Sequence, residues 1–175
     1  MSEYIFDKID KGLHRLPDHP LGILKAVIEN YFTSQHTEKG HFVMFDDLAP
    51  VVTTYANFDS VLVPVDHVSR STNDTYYVTE DTVLRCHTSA HQLELLKNGH
   101  RQFLVTGDVY RRDSIDATHF PVFHQVEGVR VFEPHEWESR NISSLELAST
   151  ELKTTLEGLV PVSYTHLTLP TIRSV

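Results

Sequence analysis

The chain has 175 residues, of which 40% are hydrophobic and 22% charged, a composition typical of one globular domain with its own core. Its net charge of −9 argues against a general nucleic-acid-binding surface, because phosphate contacts require clustered Lys and Arg. No apolar stretch approaches the ~20 residues that a membrane-spanning helix needs, and the lone Cys86 excludes an internal disulfide.

The first half of the chain predicts one helix and three short strands. Apolar residues recur at helical spacing over residues 20–32, after a start signal at Asp18, and this pattern predicts an amphipathic helix. Runs of β-branched or aromatic residues bounded by polar turns predict strands at residues 51–55, 75–78 and 83–85.

The second half predicts two more helices around a pair of long strands. Residues 89–98 predict a helix that Gly99 stops, and the extended run over residues 102–112 is followed by a return strand that reaches Phe132. Two long strands joined by a loop pair antiparallel. A last helix is expected over about residues 144–159, with an apolar stripe of Leu145, Leu147, Leu152, Leu156 and Leu159. All of these leucines are expected to lie in the core. The predicted fold class is α+β, an antiparallel sheet with flanking helices.

The run over residues 109–128, VYRRDSIDATHFPVFHQVEG, combines side chains that few binding surfaces need together. Arg111 and His119 suit phosphate oxygens, and Phe123 suits a flat heterocycle. The acceptors of Gln125 and Glu127 suit an ammonium group. The run therefore indicates a site for a nucleotide beside an amino acid.

This run resembles motif 2 of class II aminoacyl-tRNA synthetases, in the version found in phenylalanyl-tRNA synthetases. The family pattern of an arginine, then D-A-T-H, then F-H-Q-x-E-G is matched by Arg111, residues 116–119 and residues 123–128. Two upstream segments also match the family in its order: PVVTTYANFDSVLVP resembles motif 1 and the strand after it, and LRCHTSAHQ resembles the segment L-R-x-H-T-S. The sequence between these motifs is most similar to that of the single-chain mitochondrial type of the family. The resemblance covers about residues 13–160.

The resemblance implies ATP-dependent activation of phenylalanine and its transfer to tRNA-Phe. It assigns Arg111 the catalytic contact with the α-phosphate and the substrate carboxylate. The remaining implied contacts are Asp113, His119 and Phe123 with ATP, and His87, Ser89, Gln125 and Glu127 with phenylalanine. ATP would arrive with Mg²⁺, for which this stretch offers no dedicated carboxylate cage. The resemblance also implies the mitochondrial matrix and a monomer, although the first residues lack the Arg-rich, acid-poor pattern of a transit peptide.

The sequence leaves open whether the chain is a fragment of a synthetase, a noncatalytic paralogue or a zinc-binding protein. The family pattern ends near residue 160, before motif 3, so residues 1–160 are expected to form the N-terminal part of a catalytic domain that is inactive alone. Residues 161–175 are expected to be a non-family tail that packs poorly. A noncatalytic synthetase-like paralogue that binds a nucleotide or an amino acid is the competing function. A zinc site is a weaker idea, raised by the twelve histidines, since no paired-cysteine spacing is present.

Overall fold

The computed structural model describes residues 3–35, 41–112 and 119–166, and all structural statements concern these residues. The helices are α1 (Glu3–Phe6), α2 (Pro20–Gln35), α3 (Thr54–Asn57), α4 (Gln92–Lys97), α5 (Pro134–Glu138) and α6 (Ser144–His166). The strands are β1 (Val43–Phe45), β2 (Val51–Thr53), β3 (Thr82–Leu84), β4 (Gln102–Tyr110) and β5 (Val122–Arg130). Within these ranges no helix is both long and apolar enough to cross a bilayer.

The two long strands form the centre of the molecule. β4 and β5 pair antiparallel over their full lengths, from Gln102 opposite Arg130 to Tyr110 opposite Val122. Every residue of β4 after Gln102 is buried, whereas β5 is only partly covered. The α+β class and the antiparallel motif 2 pair are therefore confirmed. The described sheet is nevertheless mixed, because β1 pairs parallel with β4 in the order β1-β4-β5, and β2 and β3 form a separate antiparallel pair.

Two of the predicted short strands differ from the structure. The strand that begins at Val51 ends at Thr53, because the Thr53 side chain accepts a hydrogen bond from the Ala56 amide and caps α3. The prediction of a strand over residues 75–78 is wrong. This segment makes a single bridge, between Tyr77 and Val83, because the Thr75 amide donates to the Ser71 carbonyl within a turn and not to a neighbouring strand.

The return strand is shorter than predicted and is followed by a helix that the sequence pattern did not indicate. β5 ends at Arg130, two residues before Phe132, and α5 begins at Pro134. Glu133 and Glu136 form a reciprocal capping box that fixes the start of α5, with Pro134 in its first turn. A proline cannot continue a strand ladder, so the chain turns away from the sheet there.

The last helix extends further than predicted, and its leucine stripe is mostly exposed. Leu147 is buried, but Leu145, Leu152 and Leu156 are 75%, 61% and 51% exposed, so the prediction that the whole stripe is core is wrong. α6 packs near α2 through Leu159 of the stripe and Val162, and the Tyr31 hydroxyl of α2 donates to the Thr155 carbonyl.

The start of the predicted tail is part of this helix. α6 runs past Pro161 to His166, and Val162 packs against the cluster of Tyr31, Phe32 and Leu104. The expectation that the chain packs poorly from residue 161 is therefore wrong for Val162. Residues 167–175 lie outside the described residues, and the family boundary near residue 160 stays a prediction.

Val162→Ala should lower the free energy of unfolding by about 1 kcal/mol, since it removes methyl groups that contact the cluster of Tyr31, Phe32 and Leu104. For a chain of this size the melting temperature would fall by about 2–4 °C. Val160→Ala is the matched control, because Val160 is 52% exposed and its replacement should change stability by less than ~0.5 kcal/mol. Equal melting temperatures for the two variants would mean that Val162 contributes nothing to the core.

Candidate active site

Three side chains from one helical segment converge on the carboxylate of Glu127 in β5. The Ser89 hydroxyl donates a short hydrogen bond to it, the Thr88 hydroxyl donates at 3.3 Å, and Gln92 Nε2 donates at 3.2 Å. A carboxylate offers about four lone-pair sites, so these three donors leave room for about one more. An ammonium group is the natural fourth donor at such an acceptor.

Local folding places the members of each half of this cluster on one face of their element. Successive residues of a strand alternate between its two faces, so Phe123, Gln125 and Glu127 project from the same face of β5. Thr88–His91 form a 3₁₀ turn that leads directly into α4, and Ser89 and Gln92 lie one turn apart on its surface. The Thr88 amide also lies 3.4 Å from Gln125 Oε1, which holds the turn over the strand.

Arg111 lies at the end of β4 on the same side of the molecule. Its Nε donates to the Cys86 carbonyl at 3.2 Å, and its guanidinium carbon is 5.0 Å from the centre of the Phe123 ring. The Arg111 amide donates to the Pro121 carbonyl and so joins the end of β4 to the start of β5. A planar base stacked on Phe123 would therefore lie beside a fixed positive charge.

His87 begins the segment that carries Thr88 and Ser89. Burial lowers its pKa below the ordinary value, and the Arg111 charge adds to that effect, whereas a hydrogen bond with the Asn57 backbone and the Glu127 charge oppose it. The imidazole is therefore neutral near pH 7. Its buried Nδ1 has no hydrogen-bond partner in the described part of the chain, which leaves a polar atom for a ligand.

The structure thus brings together six of the eight residues that the sequence nominated. His87, Ser89, Arg111, Phe123, Gln125 and Glu127 lie around one surface. His119 is exposed and is the first described residue after residue 112, and Asp113 lies outside the described residues.

Sequence reasoning missed Thr88 and Gln92, which share the Glu127 carboxylate with Ser89. The signal was present, since residues 88, 89 and 92 fall on one face of a helical segment that follows a nominated histidine.

A buried ion pair behind this site was also missed. Arg85 is 2% exposed, its Nη2 donates to Asp108 Oδ1 at 2.8 Å and its Nε donates to the Asp108 carbonyl at 2.7 Å. The Tyr110 hydroxyl donates to the other carboxylate oxygen of Asp108, and Arg85 Nη1 lies 2.9 Å from His91 Nε2. Burial and the charge of Arg85 lower the pKa of His91 to about 4, so its Nε2 is the acceptor of this bond.

The depressed pKa of His91 predicts a loss of stability in mild acid. The group facing it most closely is the Arg85 charge, with His87 adding a smaller repulsion. Because the folded-state pKa of about 4 lies below the unfolded value of about 6.5, the unfolded chain binds a proton first. The stabilisation is complete above pH 6.5 and falls progressively towards pH 4. Urea unfolding from pH 7.5 to 4.5 should show this slope, and His91→Gln should reduce it. An unchanged slope in that variant would contradict the assignment.

No cluster of three His, Cys, Asp or Glu side chains arranged to hold a metal ion occurs among the described residues. The zinc alternative therefore has no candidate ligand set within them.

Comparison with known proteins bears on the same segments. Residues 15–156 match the family described as "tRNA synthetases class II core domain (F)". The chain is 61% identical over 159 residues to the chloroplastic/mitochondrial phenylalanine–tRNA ligase of Arabidopsis thaliana, an alignment that covers 91% of this chain and 37% of that protein. It is 48% identical over 139 residues to the mitochondrial phenylalanine–tRNA ligase of Rattus norvegicus, covering 78% of this chain and 29% of that protein.

Among solved structures, a pyrrolysyl-tRNA synthetase from Desulfitobacterium hafniense superposes with a TM-score of 0.58 at 14% identity, over 90% of this chain and 52% of the other. At that identity the likeness concerns the fold alone. The chain spans about a third of the length of the curated relatives it matches. The family match extends over most of the chain and includes the converging residues at Glu127, so the chain belongs to the family described as "tRNA synthetases class II core domain (F)".

Proposed function

We propose that this chain is part of a mitochondrial phenylalanine–tRNA ligase and supplies the groups that join phenylalanine to the α-phosphate of ATP. The observation that supports this most strongly is the pairing of two sites of opposite polarity. An acceptor site is centred on Glu127 and a donor site on Arg111, and both contact residues 86–89.

The reaction requires two anions to be held together. A carboxylate oxygen of phenylalanine attacks the α-phosphorus of ATP, the bond from that phosphorus to the bridging oxygen breaks, and pyrophosphate leaves with the electron pair. No protein nucleophile takes part, so catalysis depends on orientation and on stabilising the negative charge that builds on phosphate. Arg111 is suited to this because its charge is permanent and its Nε is already fixed by the Cys86 carbonyl.

The amino-acid end would be held by the Glu127 cluster. The ammonium group would take the remaining lone pair of the Glu127 carboxylate, with the Gln125 carbonyl beside it. A neutral His87 can accept a hydrogen bond from that ammonium without repelling it. Ser89 fixes the Glu127 carboxylate and so orients the acceptor rather than competing for it.

The nucleotide end would lie on Phe123. The adenine ring would stack on this side chain, with Arg111 near the α-phosphate. We assign His119 to the terminal phosphates and Asp113 to the adenine end on the resemblance alone. The phosphates of ATP would lie near the positive charge of Arg111. Mg²⁺ would enter the site bound to these phosphates and would offset part of the negative charge of the departing pyrophosphate.

The partners and location in this proposal follow from the relatives. Proteins named mitochondrial phenylalanine–tRNA ligases align with this chain in Rattus norvegicus, Dictyostelium discoideum and Saccharomyces cerevisiae. We therefore propose phenylalanine, ATP and tRNA-Phe as substrates, and mitochondria as the location. A monomer remains a prediction.

A graft tests the proposal directly. Residues 15–156 of this chain would replace the matching segment of the Arabidopsis thaliana relative, which serves as the positive control. The chimera should catalyse phenylalanine-dependent pyrophosphate exchange and favour phenylalanine over tyrosine by about tenfold or more. A folded chimera without exchange would support the noncatalytic paralogue instead. Equal exchange with tyrosine would contradict the phenylalanyl assignment.

A further inference from the structure

The segment that carries His87 and Ser89 is closed at both ends by one side chain. Arg85 precedes it and His91 ends its 3₁₀ turn, and Arg85 Nη1 donates to His91 Nε2 at 2.9 Å. The same nitrogen donates to the Leu48 carbonyl at 2.9 Å. Residues 86–90 are therefore the span of a loop whose two ends meet at the Arg85 guanidinium.

The guanidinium also ties this loop to the sheet. Two of its nitrogens donate to Asp108 in β4, one to the carbonyl and one to the carboxylate. The next residue along β4 towards its start, Gly107, is paired with Gln125 of β5, and Val105 is paired with Glu127. Because that register is fixed, the position of the loop relative to Gln125 and Glu127 is set through Arg85.

Gly107 leaves the space that this arrangement needs. A Cβ atom built at Gly107 would lie 2.1 Å from Arg85 Nη2 and 2.8 Å from its Cζ. These distances are far inside van der Waals contact, so any side chain at position 107 would displace the guanidinium. Gly128 on the neighbouring strand provides a comparison, because a Cβ there meets only the Leu104 side chain, at 3.1 Å.

We propose that Arg85, held by Asp108 and closed onto His91, is a positioning residue that fixes the substrate loop over β5, and that the bond to His91 governs the affinity for phenylalanine. The link to phenylalanine affinity rests on the proposed function, whereas the positioning of the loop by Arg85 does not depend on it. Arg85 is enclosed by its partners and acts through Thr88 and Ser89, which it places against the acceptors of Gln125 and Glu127.

Variants at His91 test the bond without removing the buried charge. His91→Leu deletes the acceptor, and His91→Gln keeps an acceptor oxygen of similar reach. Hydrogen exchange on the 175-residue chain should show amide exchange of residues 86–90 faster by about tenfold or more in His91→Leu, with β4 and β5 unchanged. His91→Gln should restore most of the protection.

A second pair of variants does not depend on the folding of His91→Leu. Gly107→Ala should displace the guanidinium and accelerate exchange in the same loop, whereas Gly128→Ala should not. Loop exchange equal to wild type in both Gly107→Ala and His91→Leu would overturn the proposal. A uniform rise in exchange along the whole chain would also overturn it, because it would indicate loss of global stability alone.

Kinetics of the grafted enzyme test the consequence for substrate. In pyrophosphate exchange, His91→Leu should raise the KM for phenylalanine about tenfold to a hundredfold while leaving the KM for ATP within about threefold, and His91→Gln should reverse most of the change. Equal increases in both constants would overturn the link to phenylalanine. If the unmodified graft shows no exchange, the proposed function fails, and hydrogen exchange still decides the role of Arg85 in the loop.

Discussion

Arg111→Ala in the grafted enzyme should lower phenylalanine-dependent pyrophosphate exchange by at least about a hundredfold while leaving the melting temperature nearly unchanged. The removed guanidinium is the fixed donor beside Phe123, placed to meet the charge that grows on the α-phosphate. Loss of one such preorganised donor costs roughly 3 kcal/mol of transition-state stabilisation. Stability should survive, since the lost contacts are one bond to the Cys86 carbonyl and one ring contact at the edge of the sheet.

The adjacent arginine supplies the control. Arg112 donates to the Thr72 carbonyl at 2.7 Å and lies over the Tyr76 ring, so it braces a neighbouring turn. Arg112→Ala should change the rate by less than about threefold. Arg111→Lys should recover only part of the rate, because an ammonium cannot present the planar fork of a guanidinium. Near-wild-type exchange in Arg111→Ala, or equal losses in Arg111→Ala and Arg112→Ala, would remove Arg111 from the mechanism.

The parts of the site that could be predicted are those that local pattern specifies. The alternation of β5 places Phe123, Gln125 and Glu127 on one face, whatever the rest of the chain does. The helical spacing after His87 places Ser89 one turn from Gln92. Such features need only the secondary structure to be right, and β4, β5 and α4 lie close to their predicted positions.

The rest depends on contacts between distant segments, which no local pattern encodes. Arg85 and Asp108 are 23 positions apart, and the Asp108 carboxylate is oriented by Tyr110 from its own strand. Leu152 has the spacing of a core residue yet is 61% exposed, because α2 packs on other residues of α6. The parallel strand β1 is three residues long, too short for its period to be recognised.

The buried ion pair carries the largest expected effect on stability. Arg85→Met in the 175-residue chain should lower the free energy of unfolding by about 3–5 kcal/mol. The change leaves the Asp108 carboxylate buried, with the Tyr110 hydroxyl as its one remaining donor among the residues that the structure describes. The Leu48 carbonyl and His91 Nε2 would lose their donor at the same time. Methionine keeps the unbranched stem, so most of the loss would come from the charge and its hydrogen bonds.

Arg70 is the matched control for this prediction, since it also pairs with a carboxylate and donates to backbone carbonyls. Its partner Asp59 is 46% exposed, in contrast to 6% for Asp108. Water can solvate the Asp59 carboxylate after the pair is broken, and Arg70→Met should therefore cost only about 1 kcal/mol. Urea unfolding of the two variants at pH 7.5 measures the difference. Equal losses would mean that burial adds nothing to the Arg85–Asp108 pair, and a loop anchored through this guanidinium would lose its energetic basis.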